Sequence, residues 1–433
     1  MKKTLLLIAT LLASYVGMAQ ETYHPTAENL KAREQFQDEK FGIFLHWGLY
    51  SMMGTTEWIM TNRDINYKEY PKLAKTFYPS EFDADAWVKA IKAAGAKYIT
   101  ITTRHHDGFS LFKTATSTYN SVDGTPFKRD IIKEMADACQ RNGIKLHLYY
   151  SHLDWGREDY PLGRTGTGTG RPKEKANWAS YYKFMNTQLT ELLTNYGKVG
   201  AIWFDGWWDH DSDAKPFDWQ LEEQYALIHK LQPQCLIANN HHHTPFPGED
   251  IQIFERDLPG ENKAGLSGQS IGRLPLESCQ TINEHWGYNI TDTLYKSPKE
   301  LIQMLVRAAG KNANLLLNIG PEPGGALPEL ALNRLQAIGK WLNKYGETIY
   351  GTRGGIIAPH EWGVSTQRGN KLYIHILNCM DSSLFIPTGN HKIKSATVFG
   401  TNKRVNFTKT GNGITLNLDT IPTDIDYIVE LTL

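Results

Sequence analysis

The chain has 433 residues, of which 41% are hydrophobic and 21% charged. Those are ordinary globular values, which exclude a disordered or fibrous protein and provide for a large core. Its 46 basic and 46 acidic residues cancel to a formal net charge of +0, so no basic excess points to a nucleic-acid partner.

The N-terminus has three parts. Met1-Lys2-Lys3 is basic, Leu5 to Val16 is an apolar run, and Gly17-Met18-Ala19 places small residues where a signal peptidase reads. This predicts a secretory signal peptide over residues 1–19 and a periplasmic or secreted protein. The apolar run is too short to span a bilayer, and no later segment is apolar enough to do so.

Eight short β-type runs follow. They are Phe41 to Trp47, Tyr98 to Thr103, Lys145 to Tyr150, Ala201 to Asp205, Leu236 to Asn239, Ile251 to Glu255, Leu276 to Ile282 and Asn314 to Ile319. Their nearly continuous apolar character is that of parallel strands buried on both faces. Helical patterns lie between several of them: Asp83 to Ala94, Asp130 to Asn142, Trp178 to Tyr196, Trp219 to Leu231 and Pro298 to Ala309, with Pro328 to Tyr345 after the last. Most stop at a Gly or just short of a Pro. Eight strands alternating with helices predict a (β/α)8-like barrel over residues 20–352. It is partly irregular, because Asn240 to Leu276 carries Gly- and Pro-rich loops instead of a helix.

From about Arg353 the runs become short, alternating and separated by Asn, Gly and Thr. Residues 353–433 therefore read as a C-terminal antiparallel β-sandwich. There is no internal repeat. Gly163 to Gly170 is of low complexity, lacks the ending of a phosphate loop, and reads as a flexible loop. Cys139, Cys235, Cys279 and Cys379 sit in helix or strand patterns without a CxxC pair, which predicts mostly buried free thiols.

Barrel active sites lie at the C-terminal ends of the strands. Read in order, those ends present His46, then Arg104-His105-His106-Asp107, Tyr149 to His152, Asp205, Asn239-Asn240-His241, Glu255, Glu277 and Asn318. Asp205 and Glu255 are the sharpest, each a carboxylate closing an apolar run. Burying a bare charge is costly, so each needs a polar site or hydrogen bonds. Two carboxylates across a barrel mouth are what a retaining glycosidase requires: one attacks the anomeric carbon, the other protonates the leaving oxygen and then activates water. The His105-His106 pair and His241 to His243 could instead suggest a metal, but adjacent strand residues face opposite ways and the second group lies in a loop. Neutral imidazoles donating to sugar hydroxyls are the preferred reading.

Six motifs in order resemble the α-L-fucosidases of glycoside hydrolase family 29. They are Phe41 to Gly48, Glu57-Trp58, Arg104 to Phe109, Trp203-Phe204-Asp205-Gly206, Trp286-Gly287-Tyr288 and Leu317 to Pro321, spread over about Glu34 to Tyr350. The resemblance implies a retaining exo-α-L-fucosidase acting on fucosylated oligosaccharides or glycans, with no metal or organic cofactor. It implies Asp205 as nucleophile, and His46, Glu57, Trp58, His105, His106, Tyr150 and Trp203 around the fucose. Trp286 would pack near the sugar's methyl group, an apolar wall against hydroxymethyl sugars. Glu255 is the expected acid/base, with a raised pKa; Glu277 and then Glu249 are its alternatives. Many members place an Arg after the fifth-strand Asn, where this chain has Asn240-His241; His241 or Arg256 would substitute. A metal-dependent barrel hydrolase and a non-catalytic fucose-binding protein are the competing functions.

Overall fold

The computed structural model describes residues 23–401 and 403–433, so the predicted signal peptide lies outside the described residues. In chain order the barrel part contains α1 (Ala27–Glu39), β1 (Phe41–Leu45), α2 (Ile59–Asn62), α3 (Ala84–Ala93), β2 (Tyr98–Arg104), α4 (Ile131–Asn142), β3 (Lys145–Ser151), α5 (Trp178–Asn195) and β4 (Ala201–Asp205). It continues with α6 (Leu221–Leu231), β5 (Leu236–Asn240), β6 (Gln252–Glu255), β7 (Leu276–Thr281), α7 (Pro298–Gly310), β8 (Ala313–Ile319) and α8 (Glu329–Tyr345). All eight predicted strands form, and no helix interrupts the stretch between β5 and β7.

The helices begin where side chains can hold their orphan amides. Asp83 accepts from Ala86 N and Asp130 from Lys133 N. Ser297 and Glu300 form a reciprocal capping box ahead of α7, with Pro298 leading the helix. Gly143 ends α4 at φ 65°, a conformation that costs glycine nothing. Helix α1 was not legible as an element because its apolar face is thin: only Asn29 and Phe36 are buried along it.

The eight strands make one parallel sheet in the order β5-β4-β3-β2-β1-β8-β7-β6. The sheet curls until its edges approach, but β5 and β6 meet only through an isolated bridge between Ala238 and Ile251. Ile237 O accepts from Asp250 N at 2.8 Å and from Ile251 N at 3.1 Å there. The barrel is therefore regular around most of its circumference and nearly open along one seam. Phe36 of α1 joins Phe44, Tyr98, Tyr149 and Trp203 in the interior cluster.

The C-terminal part consists of a five-stranded and a three-stranded antiparallel sheet. Residues such as Ile374, Ile386, Leu416 and Val429 form its separate core. Gln303 of α7 fastens it to the barrel by donating to Leu377 O and Ile425 O at 3.0 and 2.8 Å. The Gly163–Gly170 loop is tied down rather than hanging free: Thr165 donates from its amide and hydroxyl to Asp209 Oδ1, and Gly166 N to Thr61 Oγ1. All four cysteines are free thiols; Cys379 alone is only partly buried. No described helix is long and apolar enough to cross a membrane.

Candidate active site

A cavity of about 190 Å³ opens at the C-terminal ends of the strands. Asp205 and Glu255 both line it, together with His46, Glu57, Trp58, His105, His106, Trp203 and Trp286. Asp205 closes β4, where Gly206 at φ 93° turns the chain and donates its amide to Asp205 Oδ1 at 2.8 Å. Trp208 Nε1 donates to the same oxygen at 3.0 Å. Tyr149 OH donates to Oδ2 at 3.0 Å, and His106 Nε2 lies 3.5 Å from it. Burial, and then the charge of Glu255, push the Asp205 carboxyl up to about 6 against the hydrogen bonds from Trp208 and Tyr149.

Glu255 closes β6 on the other side of the seam. Asn240 Nδ2, at the end of β5, donates to Glu255 Oε2 at 2.8 Å and lies 3.4 Å from Asp205 Oδ1. A single amide thus touches both carboxylates, which fixes an upper limit on their separation. His242 Nε2 lies 2.9 Å from the same Glu255 oxygen. Burial on its own would raise Glu255; the bond and charge of His242, then Asn240 and Arg256, outweigh it and hold the carboxyl below its ordinary value. The expected raised pKa is therefore corrected: the hydrogen bonds and charges at the seam outweigh desolvation.

The deep end of the cavity is built from paired polar and aromatic groups. His46 Nδ1 lies 2.6 Å from Asn318 Oδ1, and Asn318 Nδ2 holds Trp286 O at 2.7 Å. Glu57 Oε2 accepts from Gly287 N at 2.9 Å. Trp58 stacks on Trp208 with ring centres 5.6 Å apart. Burial drives His46 down to about 3 and holds His105 and His106 well below the usual imidazole value, so all three are neutral. Both members of the His105-His106 pair face the cavity, contrary to strict alternation. They follow the end of β2, where a register shift between Thr102 and Arg104 breaks the period of two.

Two expected pocket residues point elsewhere. Tyr150 OH donates to Gln188 Oε1 at 2.7 Å, on the helix-covered side of β3. Its neighbour Tyr149 sits level with Trp203 across the β3–β4 ladder and faces inward with it. A shift of one residue reverses the face, so the strand's own alternation carried the signal for Tyr149. His241 likewise turns away: its Nε2 lies 3.1 Å from both oxygens of the buried Glu249. The cavity receives His242 instead, at φ 65°. No sequence signal announces a non-glycine residue in the left-handed region.

Glu277 lies beneath the cavity. Its carboxylate accepts from Trp203 Nε1 at 2.9 Å and Tyr98 OH at 2.7 Å, and burial pushes it up to about 7. Arg256 donates to Glu284 O at 2.9 Å and lies 5.1 Å over the Trp286 ring. One trio of possible metal ligands comes together among the described residues, Glu284, His285 and Asp292. It lies on the loop after β7 and includes none of the cavity's histidines.

Comparisons with known proteins agree with this arrangement. The family profile described as Alpha-L-fucosidase matches residues 10–347. The plasma α-L-fucosidase of Rattus norvegicus is 30% identical, over 85% of this chain and 82% of its own. The structure of α-L-fucosidase isoenzyme 1 from Paenibacillus thiaminolyticus superposes with a TM-score of 0.83 at 35% identity, covering 94% of this chain and 99% of that one. A family 29 α-L-fucosidase from Bacteroides thetaiotaomicron, trapped as a covalent intermediate in complex with 2-fluoro-fucosyl fluoride by use of a Glu-to-Gln mutant, superposes at 0.81 with 28% identity. It covers 95% of this chain and 97% of its own. The chain belongs to the α-L-fucosidases of glycoside hydrolase family 29.

Proposed function

We propose that this chain hydrolyses terminal α-linked L-fucose from oligosaccharides or glycans with retention, using Asp205 as nucleophile and Glu255 as general acid/base. The observation that carries this reading is the Asn240 amide, which lies 2.8 Å from Glu255 and 3.4 Å from Asp205. Oxygens so bridged cannot be as far apart as the roughly 6.5–9.5 Å that admits a water between an inverting pair, which supports retention. The Asp205 carboxylate attacks C1 as the bond to the leaving oxygen breaks, and Glu255 supplies the proton that oxygen needs. Water, deprotonated by Glu255, then releases the sugar.

The small cavity volume supports removal of one terminal sugar. Neutral histidines and the buried Glu57 supply donors and acceptors for its hydroxyls, and the Trp286 face suits a 6-methyl group. Tyr149 and His242 take the places expected of Tyr150 and His241. The decisive experiment is trapping with 2-fluoro-fucosyl fluoride followed by peptide mapping. A fucosyl label on the peptide carrying Asp205 is the expected result; a label on any other carboxylate removes the assignment.

The same reading places the protein outside the cytoplasm. The basic, apolar and small-residue order of positions 1–19 supports export. Sequencing the N-terminus of the protein recovered from its native compartment should begin at Gln20.

A further inference from the structure

We infer that His242 is the positioning residue that stores, beside Glu255, the proton the leaving group will take. This rests on Glu255 being the general acid. His242 stands 2.9 Å from Glu255 Oε2 and lines the cavity. Its placement is constructed. His241, clamped by Glu249, accepts the His243 amide on its Nδ1 at 3.0 Å and so pins the turn. That turn holds His242 in the left-handed region at φ 65°. A non-glycine residue is uncommon in that region, and such conformations gather at functional sites.

The hydrogen bonds leave one oxygen free for chemistry. Asn240 and His242 both engage Oε2, so Oε1 is the one turned to a glycosidic oxygen. The pair has a singly protonated state with two forms. In one, the imidazolium faces the Glu255 carboxylate. In the other, the imidazole has released its Nδ1 proton to water, Nε2–H still donates to Oε2, and Oε1 carries the proton. The two forms have the same charge and interconvert through solvent, because His242 keeps 21% side-chain exposure. The second form reacts: Asp205 bonds to C1, the C1–O electron pair moves onto the leaving oxygen, and that oxygen takes the Oε1 proton.

Other charges bear on the pair. Asp205 faces it from β4, Arg256 from the end of β6, His46 from β1 and the Cys279 thiol from β7; His241 and His243 flank it on the turn. The last proton leaves a coupled pair at an apparent pKa at least as high as either partner's own. On this proposal, removing the imidazole while keeping a hydrogen-bond donor lowers the basic limb of the rate profile.

The test is the pH dependence of kcat/KM on a fucosyl disaccharide for wild type, His242→Gln and His242→Asn, with 4-nitrophenyl α-L-fucoside run alongside. The basic limb of both variants should move to lower pH by about one unit, the coupling expected of adjacent ionisable groups. The loss should be larger on the disaccharide, whose leaving group needs the acid. A limb that stays in place in a variant with wild-type melting overturns the inference. Absence of turnover by the wild type on both substrates would instead overturn the fucosidase reading beneath it.

Discussion

The two carboxylates proposed for catalysis sit in unlike halves of one barrel. Asp205 belongs to the regular wall, where β4 pairs in continuous register with β3 and β5. Glu255 belongs to the seam, where β5 and β6 share only one bridge and loops replace the helix between β5 and β7. The wall supplies fixed donors: the Gly206 amide, Trp208 and Tyr149. The seam supplies the non-glycine left-handed residues His242 and Arg256 and a titratable partner. A nucleophile needs one position and one charge state. An acid/base must change protonation twice per turnover, and the less regular half is where such a group can be surrounded by adjustable charges.

Removing the wall's carboxylate should have the larger effect. Asp205→Asn should lower kcat by about 10⁴-fold or more with the melting temperature little changed, since covalent catalysis is lost outright. Wild-type kcat/KM should also fall as pH drops through about 6, where the free-enzyme nucleophile becomes protonated. Turnover that stays near normal in the Asn variant would remove Asp205 from its role. At the seam, Glu255→Ala should cost about 10²–10⁴-fold on a disaccharide and far less on a nitrophenyl fucoside. Added azide should restore that variant, while Glu277→Ala should show no such rescue; rescue of the Glu277 variant would exchange the two assignments.

The same contrast governs what the sequence made legible. Strand ends on the wall, such as Trp203-Phe204-Asp205-Gly206, are short apolar runs closing on one polar residue, and the fold reads them literally. The eight strands and their order were visible because parallel strands buried on both faces are apolar throughout. The position of Glu255 on the cavity was legible the same way, from the end of β6. The seam's finer chemistry was not legible. Whether His241 or His242 turns inward depends on a left-handed φ, a side chain clamped by Glu249 and the turn they fix. None of these has a local pattern. The depressed pKa of Glu255 was missed for the same reason, since its cause is the unseen His242 contact.

Glu277 extends the comparison below the floor. It is a buried carboxyl of the wall, and its partners Trp203 and Tyr98 lose their acceptor together in Glu277→Ala. Two unsatisfied buried donors and a small void should cost about 3 kcal/mol of stability, measured by denaturant unfolding. Folding raises this carboxyl from its ordinary value to about 7, so the native state binds the proton more tightly. Its stabilising contribution is full below the unfolded Glu pKa and lost as pH climbs through about 7. In Glu277→Gln that decline with pH should flatten; an unchanged slope would mean that another group sets it.

The smallest predicted effect separates two adjacent tyrosines on β3. Tyr149 OH donates to Asp205 at 3.0 Å, whereas Tyr150 OH donates to Gln188 on α5. Tyr149→Phe removes one donor from the nucleophile without altering the ring stack on Trp203, whose centre lies 5.6 Å away. Losing one hydrogen bond to a charged group is worth about 1.5–3 kcal/mol, so kcat/KM should fall by roughly ten- to a hundredfold with little change in melting. The acidic limb should move to higher pH, because that bond holds Asp205 down. Tyr150→Phe should do the reverse, leaving activity near wild type and lowering stability through the orphaned Gln188. If the two variants exchanged phenotypes, the inward face of β3 would be the other one, and the hydrogen bond drawn to the nucleophile would not exist.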